Sequence, residues 1–228
     1  MRAAADEAGV RVVTGDTKVV NRGHGDGIYI NTSGVGVLAP GVELGGARCA
    51  PGDKVLVTGT LGDHGITIMS CREGLNFQAD IQSDAAPLNH LIAAVLEAAP
   101  HTRCFRDPTR GGLASTLNEL AEQSQTDIYV DEAAVPVKPQ VLGACEMLGY
   151  DVMQVANEGK MVCVVAADEA DAALAAMRAS AYGEDAAIIG EVAPVGSDER
   201  GPKVFLRTAF GSTRILDMLV GEQLPRIC

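Results

Sequence analysis

The sequence contains no tryptophan, and aromatic residues make up only 4% of its 228 residues. This scarcity argues against a surface that stacks nucleic-acid bases or sugar rings. Basic residues are also few, with 18 Lys and Arg against 30 Asp and Glu, which gives a formal net charge of −12. Such a charge repels phosphate backbones and anionic membrane surfaces, so we expect no nucleic acid and no membrane among the partners.

Long apolar runs and clustered metal ligands are missing as well. The apolar run at 161–167 is far shorter than the roughly 20 residues of a membrane span, and the first residues do not form a secretory signal. The four histidines are dispersed and the cysteines include no C-x-x-C pair, so spacing indicates no zinc site. We expect a cytoplasmic protein whose cysteines are mostly small core residues. The cysteines are Cys49, Cys71, Cys104, Cys145, Cys163 and Cys228.

Apolar residues make up 47% of the chain, which is enough for a sizeable core. Hydrophobic periodicity predicts amphipathic helices, and short apolar runs between them predict strands. This alternation is typical of an α/β or α+β sandwich with a mixed sheet. The predicted helices are 84–98, 112–123 and 168–181, and the predicted strands are 53–59, 102–106, 127–130, 160–166, 186–192 and 203–206.

The first 40 residues have a different pattern. Residues 1–9 are predicted as the last turns of a helix closed by a glycine cap. Three β-rich stretches follow, with a Gly-rich turn that predicts a hairpin, so we expect a sheet fragment here. These stretches are 10–13, 18–20 and 27–37.

A stretch rich in Gly and Pro, from Pro40 to Pro51, predicts a domain boundary. We therefore divide the chain into a domain at 1–40, a domain at 41–218 and a mobile tail at 219–228.

The first stretch with chemical potential is 13–18, where Asp16, Thr17 and Lys18 interrupt a β-rich run. Asp16 and Thr17 offer the oxygen ligands that Mg²⁺ prefers, and Lys18 offers a cation or a base. A turn with solvated polar residues explains the same pattern.

Two further stretches each connect a predicted strand to a helix. The Gly-rich turn at 59–65 could direct backbone N–H groups at an anion, although similar turns cap helices in many folds. In 106–112, Asp107 stands between two arginines and precedes a Gly pair, which suits phosphate and metal together. A capped turn with solvated arginines is the alternative, and the P-loop spacing is missing.

The last two candidates are Glu158 and Cys228. Glu158 lies beside a glycine in an apolar setting and could accept a proton, although a tight turn between strands is the simpler reading. Cys228 ends the chain, so its thiol is tethered on one side only and could reach into a site as a carrier. Any chain can also end in cysteine by chance.

Taken in this order, the motifs resemble the HypE family of hydrogenase maturation factors, in the superfamily named after aminoimidazole ribonucleotide synthetase. The resemblance covers the whole chain, and the Pro-Arg-Ile-Cys end distinguishes this family from other members of the superfamily. The motifs are 13–20, 59–65, 106–112, 156–160 and 225–228.

The resemblance implies an α/β (α+β), PurM-like, two-domain architecture with an incomplete first domain and a complete C-terminal mixed-sheet domain. In the family, a further N-terminal segment with an ATP-clamping stretch comes first, and the present chain resembles the C-terminal two thirds. The resemblance also implies a homodimer formed through the first domains.

The implied activity is an ATP-dependent dehydration in [NiFe] hydrogenase maturation. The carbamoyltransferase HypF would place a carbamoyl group on Cys228, and dehydration would give a thiocyanate whose cyanide passes to iron on the HypC–HypD complex. Cys228, Lys18 and Glu158 are the implied catalytic residues, with the last two as bases. The implied cofactors are ATP and Mg²⁺, with Asp16 and Asp107 as metal ligands. The implied cofactor-binding residues are Asp16, Thr17, Asp107, Thr109, Arg110, Gly111 and Gly112.

Two alternatives stay open at this point. The chain could be a catalytically incomplete carrier or docking module that presents Cys228 to partners. It could also be a small-molecule kinase or synthase of the same superfamily, although the terminal motif argues against this reading.

Overall fold

A computed structural model describes residues 1–25, 27–73, 81–197 and 201–218. The chain divides into two compact units, Met1–Val42 and Glu43–Cys228. In the part of the chain that the structure describes, every helix is too short or too polar to cross a membrane.

The first unit begins with helix α1, Arg2–Ala8, as the sequence predicted. Gly9 ends the helix in the left-handed conformation, with φ of 68°, and its N–H bonds back to Asp6. Glycine adopts this conformation without the steric cost that a Cβ imposes, so the cap is typical of a helix C-terminus.

The strands predicted at 10–13, 18–20 and 27–37 are wrong, because the structure has no strand at 10–25 or 27–42. A turn does form near His24, whose N–H bonds to the carbonyl of Asn21. The valines in these stretches are exposed, and the exposed fraction is 93% for Val19 and 104% for Val35. They therefore pack against no sheet partner. β propensity reflects fit to a neighbouring strand, and an unpaired stretch cannot make the hydrogen-bond ladder that defines a strand.

The second unit is built on a seven-stranded mixed sheet with strand order β2-β4-β1-β5-β3-β6-β7. Neighbouring strands are antiparallel except for the parallel pair β3 and β6. The predicted mixed sheet is confirmed, and β7 is a strand that the sequence pattern did not reveal. The strands are β1 (Lys54–Val57), β2 (Thr102–Arg106), β3 (Asp127–Asp131), β4 (Val162–Val165), β5 (Ala187–Ala193), β6 (Val204–Arg207) and β7 (Thr213–Ile215).

Helices cover both faces of this sheet. One face packs against α2, α4 and α5, and the other packs against α3 and α6. Helix α5 was not predicted, although Pro139 at its start and the left-handed Gly149 after its end are typical helix signals. The helices are α2 (Asp63–Glu73), α3 (Asn89–Ala98), α4 (Gly112–Ser124), α5 (Pro139–Leu148) and α6 (Ala170–Ala179).

The order of the strands decides which loops meet. Strand β4 lies between β1 and β2 and runs antiparallel to both. Its first residue, Val162, therefore pairs with Val57 at the end of β1 and with Arg106 at the end of β2. The segment before β4 consequently lies at the same end of the sheet as the loops that follow β1 and β2.

A buried ion pair joins the start of the second unit to strand β2. The Asp53 carboxylate is 4% exposed and accepts hydrogen bonds from Arg103 Nε at 3.0 Å and from the Ala50 N–H at 2.8 Å. The hydrogen bond to Asp53 raises the pKa of Arg103 above its usual value. Breaking a buried pair leaves one charge without compensation, which costs far more than breaking an exposed pair.

We expect Asp53→Ala to lower the free energy of unfolding by about 3 kcal/mol, because Arg103 and the Ala50 N–H lose their acceptor. Urea denaturation of the purified chain measures this change. The control is Glu43→Ala, which breaks the exposed pair of Glu43 with Arg48 and should change stability by less than about 0.5 kcal/mol. Equal effects of the two substitutions would contradict a structural role for the Asp53 pair.

Candidate functional site

Three loops meet at one end of the sheet: the β1–α2 loop, the β2–α4 loop and residues 156–161 before β4. The first and third are joined by backbone hydrogen bonds, from Gly65 N to the Ala156 carbonyl at 3.0 Å and from Thr58 N to the Met161 carbonyl at 3.1 Å. The loops therefore form one continuous surface, and they contain three of the motifs singled out in the sequence.

The side chain of Asn157 ties these loops together. It is fully buried. Its Oδ1 accepts a hydrogen bond from Gly62 N at 2.7 Å, while its Nδ2 donates to the carbonyls of Pro108 and Val155, both at 3.0 Å. One amide thus bonds to backbone groups of the β1–α2 loop, of the β2–α4 loop and of Val155, which immediately precedes the third loop. The Pro108 carbonyl also accepts the backbone N–H of Asn157 at 3.2 Å, so the third loop holds it twice.

Gly112, the first residue of α4, allows the end of the β2–α4 loop to lie close to the backbone of residues 153–155. Gly112 has a φ of 60°, and a Cβ at this position would lie 2.6 Å from the Val155 carbonyl oxygen and 2.7 Å from that of Met153. Any side chain would push the start of α4 away from the segment that contains Asn157. Gly112 is therefore required for packing at the site.

The charged groups of the β2–α4 loop are arranged around Asp107. Arg106 donates to Asp107 at 2.5 Å and to Glu119 on α4 at 3.0 Å, and Thr109 Oγ1 donates to the other Asp107 oxygen at 2.7 Å. The bond to Glu119 raises the pKa of Arg106. Arg110 is exposed and has no hydrogen-bond or ion-pair partner among the described residues. Arg110 is consequently a cation that can meet an anionic ligand.

Backbone and side-chain groups of the Gly-rich β1–α2 loop form hydrogen bonds to other parts of the protein. The N–H groups of Gly62 and Gly65 bond to Asn157 and Ala156, and Thr60 Oγ1 bonds to the buried Asp63 at 2.5 Å. Lys138 also reaches Asp63, at 3.1 Å. The N–H groups of Gly62 and Gly65 are therefore engaged within the protein and do not face an anion.

Glu158 follows Asn157 in the segment before β4. It is half-buried, and its Oε1 is buried without a hydrogen-bond partner among the described residues. Its backbone N–H donates to Asp84 Oδ1 at 3.1 Å. Glu158 therefore has a fixed backbone and a free carboxylate oxygen.

The structure brings some of the predicted site residues together. Through Asn157, Glu158 adjoins the β2–α4 loop, which contains five of the predicted residues, namely Asp107, Thr109, Arg110, Gly111 and Gly112.

The other predicted site residues lie elsewhere. Asp16, Thr17 and Lys18 belong to the first unit, where all three are exposed and Asp16 accepts the Thr17 N–H at 2.8 Å. Cys228 and the tail predicted at 219–228 lie outside the described residues.

No three His, Cys, Asp or Glu side chains within 1–25, 27–73, 81–197 and 201–218 are grouped so that they could bind a metal ion. Asp107 offers one carboxylate that is half-exposed. A nucleotide-bound Mg²⁺ takes only one or two carboxylates, with phosphate and water completing its shell. The residues present fit that kind of site and do not fit a metal held by protein ligands alone.

Sequence reasoning gave no role to Asn157 or Asp84. Asn157 lies within the motif at 156–160, and the apolar pair Val155 and Ala156 before it is the only local signal for a buried amide. Asp84 gives no local signal, because its contact is with a segment more than seventy residues later in the chain.

A family model described as "AIR synthase related protein, C-terminal domain" matches residues 50–201. The chain is 55% identical over all of its 228 residues to a protein of Azotobacter vinelandii called carbamoyl dehydratase HypE. It spans 66% of that relative's length, just under two thirds.

Two solved structures are also similar. A crystal structure of a HypE–HypF complex matches with a TM-score of 0.91 and 46% identity, covering 96% of this chain and 70% of that one. A crystal structure of HypE in complex with ATP matches with a TM-score of 0.89 and 47% identity, covering 99% and 68%. The PurM-like α/β fold expected from the motifs is confirmed. The chain therefore belongs to the HypE family of the AIR synthase-related proteins.

Proposed function

We propose that this chain functions in [NiFe] hydrogenase maturation, by ATP-dependent dehydration of a carbamoyl group on the sulfur of Cys228. The observation that carries the proposal is the convergence of the Glu158 segment and the Asp107–Gly112 loop around the buried Asn157 amide. This convergence supplies a free carboxylate beside a loop with a free guanidinium. It occurs in a chain whose relative at 55% identity is called a carbamoyl dehydratase.

The proposed reaction converts S–C(=O)–NH₂ and ATP into S–C≡N, ADP and phosphate. The carbonyl oxygen attacks the terminal phosphorus, which turns it into a good leaving group. The carbon–oxygen bond then breaks, the oxygen departs with the phosphate, and the nitrogen loses both of its protons. Two bases near the nitrogen and cations near the phosphate are therefore required.

Glu158 and Lys18 are the proposed bases. Glu158 Oε1 is buried and unpaired within the described residues, so it can accept a proton without first losing a hydrogen bond. The Lys18 amine is exposed and likewise has no partner in the described part of the chain. A well-placed base contributes about 10²- to 10⁴-fold to the rate.

The β2–α4 loop is the proposed phosphate site. Arg110 supplies the guanidinium, while Gly111 and Gly112 bring the start of α4 close without a side chain in the way. Asp107 is proposed as a ligand of nucleotide-bound Mg²⁺, which would neutralise charge on the transferred phosphate, and Thr109 as a cofactor-binding residue beside it. Asp16 stays the predicted metal ligand of the first unit, and Thr17 a predicted cofactor-binding residue there. A similar HypE crystallised in complex with ATP supports nucleotide binding.

The proposed partners follow from the same resemblance. HypF as carbamoyl donor is supported by the similar HypE–HypF complex. Transfer of the cyanide to HypC–HypD, a homodimer and a cytoplasmic location stay predictions.

A carrier and docking module that presents Cys228 to partners is a second candidate. One observation favours it: Asp16, Thr17 and Lys18 lie on exposed backbone in a unit with no strand at 10–25 or 27–42. Calorimetric titration with ATP separates the two candidates. Binding by this chain supports the enzyme, whereas binding that appears only when the N-terminal third of the Azotobacter relative is added in front supports the carrier.

Incubation with HypF, carbamoyl phosphate and ATP should increase the intact mass of the chain by one carbamoyl group, and the mass should then fall by one water. Mass spectrometry follows both steps. Cys228→Ala should abolish the first step, whereas Cys71→Ala, which removes an exposed thiol elsewhere, should leave both unchanged. An unmodified Cys228 in the parent chain would rule out both the dehydratase and the carrier.

Lys18→Ala and Glu158→Ala should each stall the reaction at the carbamoyl stage, because one of the two nitrogen protons loses its acceptor. We expect the dehydration rate to fall by about 10² or more while carbamoylation proceeds normally. The rate is measured from the same mass shift, in a chimera with the N-terminal third of the Azotobacter relative. Asp168→Ala, at an exposed carboxylate far along the chain, serves as the control. Normal dehydration in a variant would remove that residue from the base role.

A further inference from the structure

The segment that leads into α3 clamps the backbone of the Glu158 loop. Asp84 Oδ1 accepts hydrogen bonds from the N–H of Glu158 at 3.1 Å and from the N–H of Gly159 at 3.4 Å. The neighbouring Ser83 Oγ lies 2.9 Å from His64 Nδ1, in the first turn of α2. Residues 83–84 thus join the loop after β1 to the segment before β4.

Gly159 is the steric counterpart of this clamp. A Cβ on Gly159 would lie 1.7 Å from the Asp84 carbonyl oxygen and 2.7 Å from the Ala86 nitrogen. Both of these atoms belong to the backbone and cannot turn aside. The contact between the two segments therefore requires both a side-chain oxygen acceptor at 84 and the absence of a side chain at 159.

Polar atoms at this junction are left unpaired. Asp84 Oδ2, Glu158 Oε1 and His64 Nε2 are each buried without a hydrogen-bond partner among the described residues. A buried unpaired polar atom costs stability, and such atoms in native proteins commonly mark a functional site. A clamp that served stability alone would have no reason to retain three such atoms at one junction.

We propose that Asp84 is a positioning residue for Glu158: by holding two successive N–H groups, it fixes the backbone from which the free Glu158 carboxylate reaches its substrate. This proposal rests on the proposed function and extends it to a residue outside the quoted motifs. Displacement of a catalytic group by about 1 Å can cost about 10²-fold in rate, so a single backbone acceptor can control a base that it does not touch through its side chain.

Two substitutions at this position separate positioning from charge. Asp84→Ala removes the acceptor, whereas Asp84→Asn retains an oxygen that can accept both N–H groups. Asp171→Ala removes an exposed carboxylate from α6 and serves as the matched control. Gly159→Ala tests the clamp from its other side.

Hydrogen exchange of the Glu158 and Gly159 amide protons, followed by NMR on the labelled chain, is the first readout. We expect Asp84→Ala and Gly159→Ala to speed exchange at both amides by about tenfold or more, because the first removes their common acceptor and the second pushes the two segments apart. Asp84→Asn and Asp171→Ala should leave both amides slow. Unchanged exchange in Asp84→Ala would overturn the proposal.

The second readout is the dehydration rate in the chimera with the Azotobacter N-terminal third. Asp84→Ala should slow dehydration by about 10- to 100-fold with unchanged carbamoylation and ATP affinity, and Asp84→Asn should restore most of the rate. Equal rates in Asp84→Ala and the parent, or loss of ATP affinity together with the rate, would overturn positioning. A parent chimera that does not dehydrate at all would refute the proposed function, and the exchange rates would then decide the clamp by themselves.

Discussion

The buried amide of Asn157 is the constraint on which the candidate site depends. It is fully buried and serves backbone groups of Gly62, Pro108 and Val155 at the same time. No other side chain type of this size offers one acceptor and two donors. Aspartate would lose both donors, and alanine would remove the acceptor of the Gly62 N–H together with the donors to the Pro108 and Val155 carbonyls. The amide therefore acts as a junction, and the position of Glu158 follows from it.

Strand order and local charge complete the site. Because β4 runs antiparallel between β1 and β2, the loops that Asn157 joins are already at one end of the sheet. The chain as a whole is acidic, with a net charge of −12, so attraction for an anionic nucleotide has to come from local groups. Arg106 is engaged by Asp107 and Glu119, whereas Arg110 has no ion-pair partner in the described part of the chain and is the proposed cation for a phosphate. One motif thus contains a structural ion pair, formed by Arg106, and a second arginine, Arg110, that is proposed to bind phosphate.

Some of this arrangement could be predicted from the sequence and some could not. Strands β1 to β6 follow from short apolar runs between turn residues, because the central strands are buried on both faces. The β-rich stretches have the same local signal but form no strand within the described residues 10–25 and 27–37, since a ladder needs a partner that the local pattern cannot supply. Glu158 and Asp107 each lie in a motif that can be recognised in the sequence. Asp84 does not, because its role depends on a contact with residues 158–159 that only the folded chain creates.

Hydrogen–deuterium exchange of Asn157→Ala, followed by mass spectrometry, tests whether one amide holds the three loops in place. We predict that peptides covering 59–65, 106–112 and 156–160 lose protection together, while peptides covering β3 and β5 exchange as in the parent chain. The Gly62 N–H loses its acceptor directly, and the amide no longer holds the carbonyls of Pro108 and Val155, so we expect the three loops to loosen together. Loss of protection confined to 156–160, or no loss in any of the three loops, would contradict the account.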